Sequence, residues 1–115
     1  MLVPCQMAMV TSGGQIKLKF NEHEAVAKLS LAFGPKHIHV DVGLDDVFRL
    51  TQSEGYLRAY KGYWENDSTF VYKYQVVDYT ERGEARIVFK GNEITVWIEE
   101  AIEGNKYKLI GWLKE

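Results

Sequence analysis

The residues best placed by type and spacing to do chemistry are His37, His39 and Asp41. They alternate with Ile38, Val40 and Val42. In a strand, alternate side chains leave one face about 7 Å apart. An H-x-H-x-D run of this kind sets imidazole and carboxylate side by side, as a divalent transition metal requires. The same run also reads as the wet face of a strand whose other face is apolar. A metal site needs further ligands from elsewhere, and the remaining histidine, His23, falls in a polar turn. The expectation is a solvated strand face, with His37 and His39 the positions where a metal would be sought.

Other reactive chemistry is sparse. Asp45-Asp46 and Glu99-Glu100 are adjacent pairs, and neighbours on a strand point to opposite faces. Neither pair makes an acid–base dyad. No serine is followed three places later by lysine, and G-x-S-x-G is missing. Gly13-Gly14 is too little for a phosphate loop. No catalytic residue and no cofactor is therefore expected. Cys5 is the one cysteine. It cannot close an internal disulfide and is expected to be a small buried apolar residue.

Aromatic residues gather in the second half of the chain, from Tyr56 to Trp112. Aromatics fill β cores, and they also line ligand pockets. Trp64, Tyr72 and Tyr74 are the candidates for a ligand-binding role. Trp97 is out of phase with Val96 and Ile98, and Trp112 with Tyr107 and Leu109. Both are expected on the outer surface, where exposed aromatics mark docking faces.

Period-2 alternation must position these residues. Ile16, Leu18 and Phe20 alternate with lysines. Leu29, Leu31 and Phe33 repeat the pattern up to the Gly34-Pro35 turn. Tyr56 to Trp64 reads as a strand, followed by the polar turn Glu65-Asn66-Asp67-Ser68. Thr69 to Tyr79 reads as a long strand, with Phe70, Tyr72, Tyr74 and Val76 on one face. Glu81-Arg82-Gly83 is read as a turn. Ala85, Ile87 and Phe89 lead to Gly91-Asn92, a two-residue hairpin signal. Tyr107, Leu109 and Gly111 share a face of the last strand. Leu44 to Leu50 is either a short helix or a loop followed by a strand.

Eight or nine strands joined by tight turns imply an all-β domain spanning 1–115. The favoured form is a small antiparallel up-and-down β-barrel of lipocalin-like shape, with a β-sandwich as the alternative. Met1 to Val10 is apolar but lacks a basic start, so it reads as a strand or ordered arm rather than a signal peptide. The net charge of −2 carries no footprint for nucleic acid. No apolar run is long enough for a membrane-spanning helix. A soluble chain follows.

Two stretches resemble a known family. They are Gly62-Tyr63-Trp64-Glu65-Asn66-Asp67-Ser68-Thr69-Phe70 and Arg86-Ile87-Val88-Phe89-Lys90-Gly91-Asn92-Glu93-Ile94-Thr95-Val96, preceded by Phe48-Arg49-Leu50. They are similar to the C-terminal β domain of bacterial serine hydrolases of the β-lactamase and penicillin-binding-protein class. The stretch Ile16 to Asn21 fits more loosely. The resemblance implies that Gly62 and Trp64 start a strand and plug a core, and that Gly91-Asn92 makes a hairpin. It implies an accessory domain that packs on a serine-hydrolase catalytic domain or on a second copy of itself. The S-x-x-K half of that family is absent, so no catalytic role transfers to any position. The alternative is a lipocalin-like small-molecule binder using the barrel interior.

Overall fold

The computed structural model describes residues 6–11, 14–20 and 23–113, the first of these stretches as backbone alone. Cys5 and Gly13 lie outside the described residues, as does Asn21. Ten strands follow in order: β1 (Gln6–Thr11), β2 (Gly14–Phe20), β3 (Val26–Phe33), β4 (Lys36–Gly43), β5 (Arg49–Ser53), β6 (Tyr56–Asn66), β7 (Thr69–Val76), β8 (Arg82–Lys90), β9 (Glu93–Glu100) and β10 (Lys106–Leu113). They form one sheet ordered β4-β3-β2-β1-β10-β9-β8-β7-β6-β5. The protein is an up-and-down antiparallel β-barrel, as the alternation predicts. Among the described residues, no helix is long and apolar enough to cross a membrane.

Register keeps the apolar faces together. Ile16, Leu18 and Phe20 pair with Leu31, Leu29 and Ala27. Those three in turn pair with Ile38, Val40 and Val42. Along β2, β3, β4, β8 and β9 the inward face is buried more deeply than the outward one, and a slip of one residue would expose the whole apolar set. Val10 pairs with Trp112, which joins the first strand to the last.

The barrel closes unusually between β4 and β6. The end of β4 meets β6 through one parallel pair, Gly43 with Lys61. Lower down, β5 lies between them and pairs only with β6. Side chains of β5 bridge the remaining seam. The Asp41 amide donates to Thr51 Oγ1 at 3.0 Å, and the His39 amide to Ser53 Oγ at 3.1 Å. At the seam's far end, the His37 amide reaches Glu54 Oε1 at 3.4 Å. Backbone donors need acceptors wherever a strand ends without a ladder, and these oxygens take the place of carbonyls.

The structure departs from the sequence expectations in three places and decides between two readings in a fourth. It has ten strands rather than eight or nine, and the additional one is β5. Of the two readings of Leu44 to Leu50, the loop followed by a strand is the one found. Asp46 adopts φ +65°, and Leu50 is 62% exposed, so its spacing from Val47 builds no buried helical face. The strand expected over Thr69 to Tyr79 ends at Val76, because Asp78 turns the chain at φ +71°. Arg82 and Gly83 consequently belong to β8 rather than to the turn. Finally, Gly62 lies in the middle of β6 and does not start it.

The β4–β5 loop is held down by charge. Arg49 donates from Nη1 to the Val47 carbonyl and from Nη2 to Asp45, both at 2.9 Å. Lys61 Nζ bonds Asp46 at 3.0 Å and sits 4.8 Å from the Phe48 ring centre. Gly43 is needed beneath this loop, since a Cβ there would lie 1.8 Å from the Val47 oxygen.

Candidate functional site

The two ends of the barrel interior differ in chemistry. One end carries the β2–β3, β6–β7 and β8–β9 turns, and four aromatic rings fill it. Trp64 packs 5.6 Å from Phe20, 5.2 Å from Phe70 and 5.7 Å from Phe89. Phe20 and Phe70 meet edge to face at 5.4 Å. A bulge between Trp64 and Asn66 adjusts the end of β6, the local re-aiming that bulges produce. Gly62 makes room for Phe70, whose Cζ would lie 2.8 Å from a Cβ. This end is solid core, and Trp64 is part of it.

The other end carries the β3–β4, β5–β6 and β7–β8 turns. Its inward positions on β6 are Tyr56, Arg58 and Tyr60, and β7 supplies Tyr74 and Val76. Tyr60 stacks on Tyr72 at 5.6 Å and on Tyr74 at 5.8 Å. Burial pushes the Tyr60 phenol up to about 12, while the positive charge of Arg58 acts in the opposite direction. Burial also raises the Tyr72 phenol strongly, with smaller contributions from Tyr60 and Tyr74. Tyr74 is raised by burial first, then by the charges of Glu81 and Glu100. These phenols are neutral hydrogen-bonding groups at physiological pH.

Arg58 is the unexpected member. It is only 5% exposed. Its Nε donates to the Ser53 carbonyl at 3.1 Å, and its guanidinium lies 5.5 Å from the Tyr56 ring centre. Among the described residues, no carboxylate forms an ion pair with it. Buried charges are ordinarily paired. Arg58 forms part of the wall of a cleft of about 230 Å³, with Lys36, Tyr56, Val76, Tyr79 and Glu81. Tyr56 and Tyr79 meet edge to face at 5.0 Å within it.

Sequence reasoning missed this cleft, yet a signal was present. Tyr56, Arg58, Tyr60, Gly62 and Trp64 share one strand face. A charged residue in that series is a break in an otherwise apolar set. Tyr79 comes from a turn and Lys36 from the first position of β4, and alternation does not bring them to this cleft.

The other candidates do not line this cleft. His37 and His39 project outward from β4. His39 Nδ1 is 2.9 Å from Ser30 Oγ, and Asp41 bonds Lys28 Nζ at 2.7 Å. Among the described residues, no group of three His, Cys, Asp or Glu is arranged to hold a metal ion. Trp97 and Trp112 lie on the outer face, 48% and 56% exposed. Ile110 on β10 shares that face, and Lys108 Nζ sits 4.9 Å from the Trp97 ring centre. Tyr72 and Tyr74 belong to the tyrosine stack, Tyr72 buried and Tyr74 half-exposed.

Compared with known proteins, the sequence matches no protein-family model and no curated protein. The fold does have counterparts. A solved structure of secretory abundant heat soluble protein 4 from Ramazzottius varieornatus superposes with a TM-score of 0.71 at 7% identity. The match covers 100% of this chain and 99% of that one. At that identity the likeness is one of fold, and it agrees with the all-β barrel.

Proposed function

We propose that this chain is a small-molecule-binding barrel that captures its ligand without chemistry, at the tyrosine-lined end rather than in the centre. The observation that supports this is Arg58, a buried cation facing a cleft in a position where a purely structural core would hold an aliphatic side chain. Binding sites of this sort combine apolar walls with a few convergent polar groups, and Tyr56, Tyr79 and Val76 supply the walls. The aromatic plug around Trp64 leaves the opposite end without room for a ligand. Trp64 is accordingly a core residue in this reading, and Tyr74 borders the site.

The test is a nuclear magnetic resonance titration with single-ring compounds, both neutral and charged: benzyl alcohol, benzamide, benzoate and benzylamine. The expected result is perturbation confined to Tyr56, Arg58, Val76 and Tyr79 by at least one of them. No perturbation by any of the four, at millimolar concentration, overturns the reading.

A second reading is favoured by the outer face bearing Trp97, Ile110 and Trp112. In it the chain is an accessory domain that docks on a serine-hydrolase catalytic domain or on a second copy. The likeness of Gly62–Phe70 and Arg86–Val96 to such domains supports it. Sedimentation of the wild type and of a Trp97→Ser, Trp112→Ser variant tests the self-association arm. Association that grows with concentration and is lost in the variant is the supporting result. A wild type that stays monomeric at high concentration removes that arm.

A further inference from the structure

We propose that the cleft at the tyrosine end selects an anion, specifically a small carboxylate carried on one aromatic ring. This rests on the small-molecule-binding reading and gives it a ligand class.

Three observations point to this class. The first is charge. Arg58 offers a planar guanidinium with five N–H donors, of which Nε is engaged by the Ser53 carbonyl and another by the Tyr60 phenol. No carboxylate of the described residues pairs with the rest of it. Lys36 adds a second positive charge on the same cleft. A guanidinium matches a carboxylate in two-point geometry better than any other common anion-binding side chain. Partial burial strengthens such a bond over its value in water.

The second is shape. The cleft of about 230 Å³ falls below the usual range for drug-sized ligands, roughly 300–1,000 Å³. It suits a body of one ring. A long acyl chain would have to pass the stack of Tyr60, Tyr72 and Tyr74 and then the plug of Trp64, Phe20, Phe70 and Phe89.

The third is the wall. Tyr56 and Tyr79 are already set edge to face at 5.0 Å, and a third ring entering beside them continues that arrangement. Tyr56 is also the ring that Arg58 lies over, so the charge and the aromatic surface are presented together.

Glu81 is the one feature of the cleft that opposes an anion. It stands at the exposed rim, and its charge also acts on Tyr60 and Tyr74. Its presence makes the proposal directly testable, because neutralising it should strengthen binding.

The experiment compares benzoate with benzamide, its neutral counterpart of equal size, by calorimetry or chemical-shift titration. Circular dichroism verifies the fold of each variant. Benzoate is expected to bind at least about tenfold more tightly than benzamide, the increment of one charge-assisted pair. Arg58→Gln and Lys36→Gln should weaken benzoate and leave benzamide unchanged. Glu81→Gln should tighten benzoate by about two- to threefold, as removal of a rim charge does. A misfolded variant cannot produce that gain. Equal affinity for benzoate and benzamide overturns the anion proposal and leaves the binding reading intact. Failure of both to bind overturns the anion proposal, and the binding reading falls with it only when benzyl alcohol and benzylamine also leave the cleft unperturbed. Benzoate binding that Arg58→Gln and Glu81→Gln leave unaltered, with the fold retained, also overturns it.

Discussion

The Asp41 backbone amide donates its hydrogen bond to the Thr51 side-chain hydroxyl, 3.0 Å away, at a position where a neighbouring strand's carbonyl would ordinarily stand. The Ser53 hydroxyl does the same for His39. The β4–β5 seam is therefore held by side chains, and each of its bonds can be deleted by a single substitution.

Thr51→Val keeps the shape and removes the acceptor. It is expected to cost about 1–2 kcal/mol, since a partly buried amide is left unpaired. Ser53→Ala should cost less, because its bond is exposed and water can replace it. Denaturant melts measure the first effect. Hydrogen exchange should show the Asp41 and His39 amides losing protection while the β8–β9 amides keep theirs. Uniform loss across the barrel would contradict a local seam.

The plug offers a packing test. Gly62→Ala places a Cβ 2.8 Å from both Phe70 Cζ and the Val71 carbonyl oxygen. The backbone cannot give way as a flexible side chain would, so about 1–3 kcal/mol of destabilisation is expected. Phe70→Ala, at a fully buried position, should cost about 3–5 kcal/mol. If Gly62→Ala melts like the wild type, the contact between β6 and the Phe70 ring is looser than described.

Tyr60 links stability to alkaline pH. Its phenol is raised from 10.0 to about 12 in the folded state. The folded form holds that proton more tightly than the unfolded form. The contribution is fully present below pH 10 and is lost as pH rises through about 12. It amounts to on the order of 3 kcal/mol at most. Stability of the wild type should fall across this window, and Tyr60→Phe should flatten part of the fall. Tyr72, also raised by burial, should resist ionisation until the barrel opens, which phenolate absorbance records.

Metal binding by the β4 histidines is expected to be weak. His39 shares its Nδ1 contact with Ser30, and Asp41 is occupied by Lys28. Zinc uptake by the wild type and by His39→Ala should therefore be equal. A clear loss in the variant would restore the metal site at His37 and His39.

Alternation along β2, β3, β4, β8 and β9 is a property of neighbouring residues, so it was legible without coordinates. Ile16, Leu18, Leu29, Val40, Ile87, Ile94 and Val96 are all buried as their phase requires. The outward positions of Trp97 and Trp112 follow from the same phase. So do the Gly34-Pro35 and Gly91-Asn92 turns, where Gly34 and Gly91 take φ values of +59° and +63°.

Tertiary structure decided what local pattern could not. The strand β5 is five residues long, and only β6 beside it makes it a strand. The bridge from Thr51 to Asp41 depends on how far β4 and β5 diverge, which no spacing encodes. The cleft joins Lys36, Arg58 and Tyr79 from three separate hairpins. A cleft made of residues distant in the chain comes into being only when the barrel closes. By itself the sequence specified which side chains face inward; closure of the barrel determined that Arg58 would line a cleft with Lys36, Val76 and Tyr79.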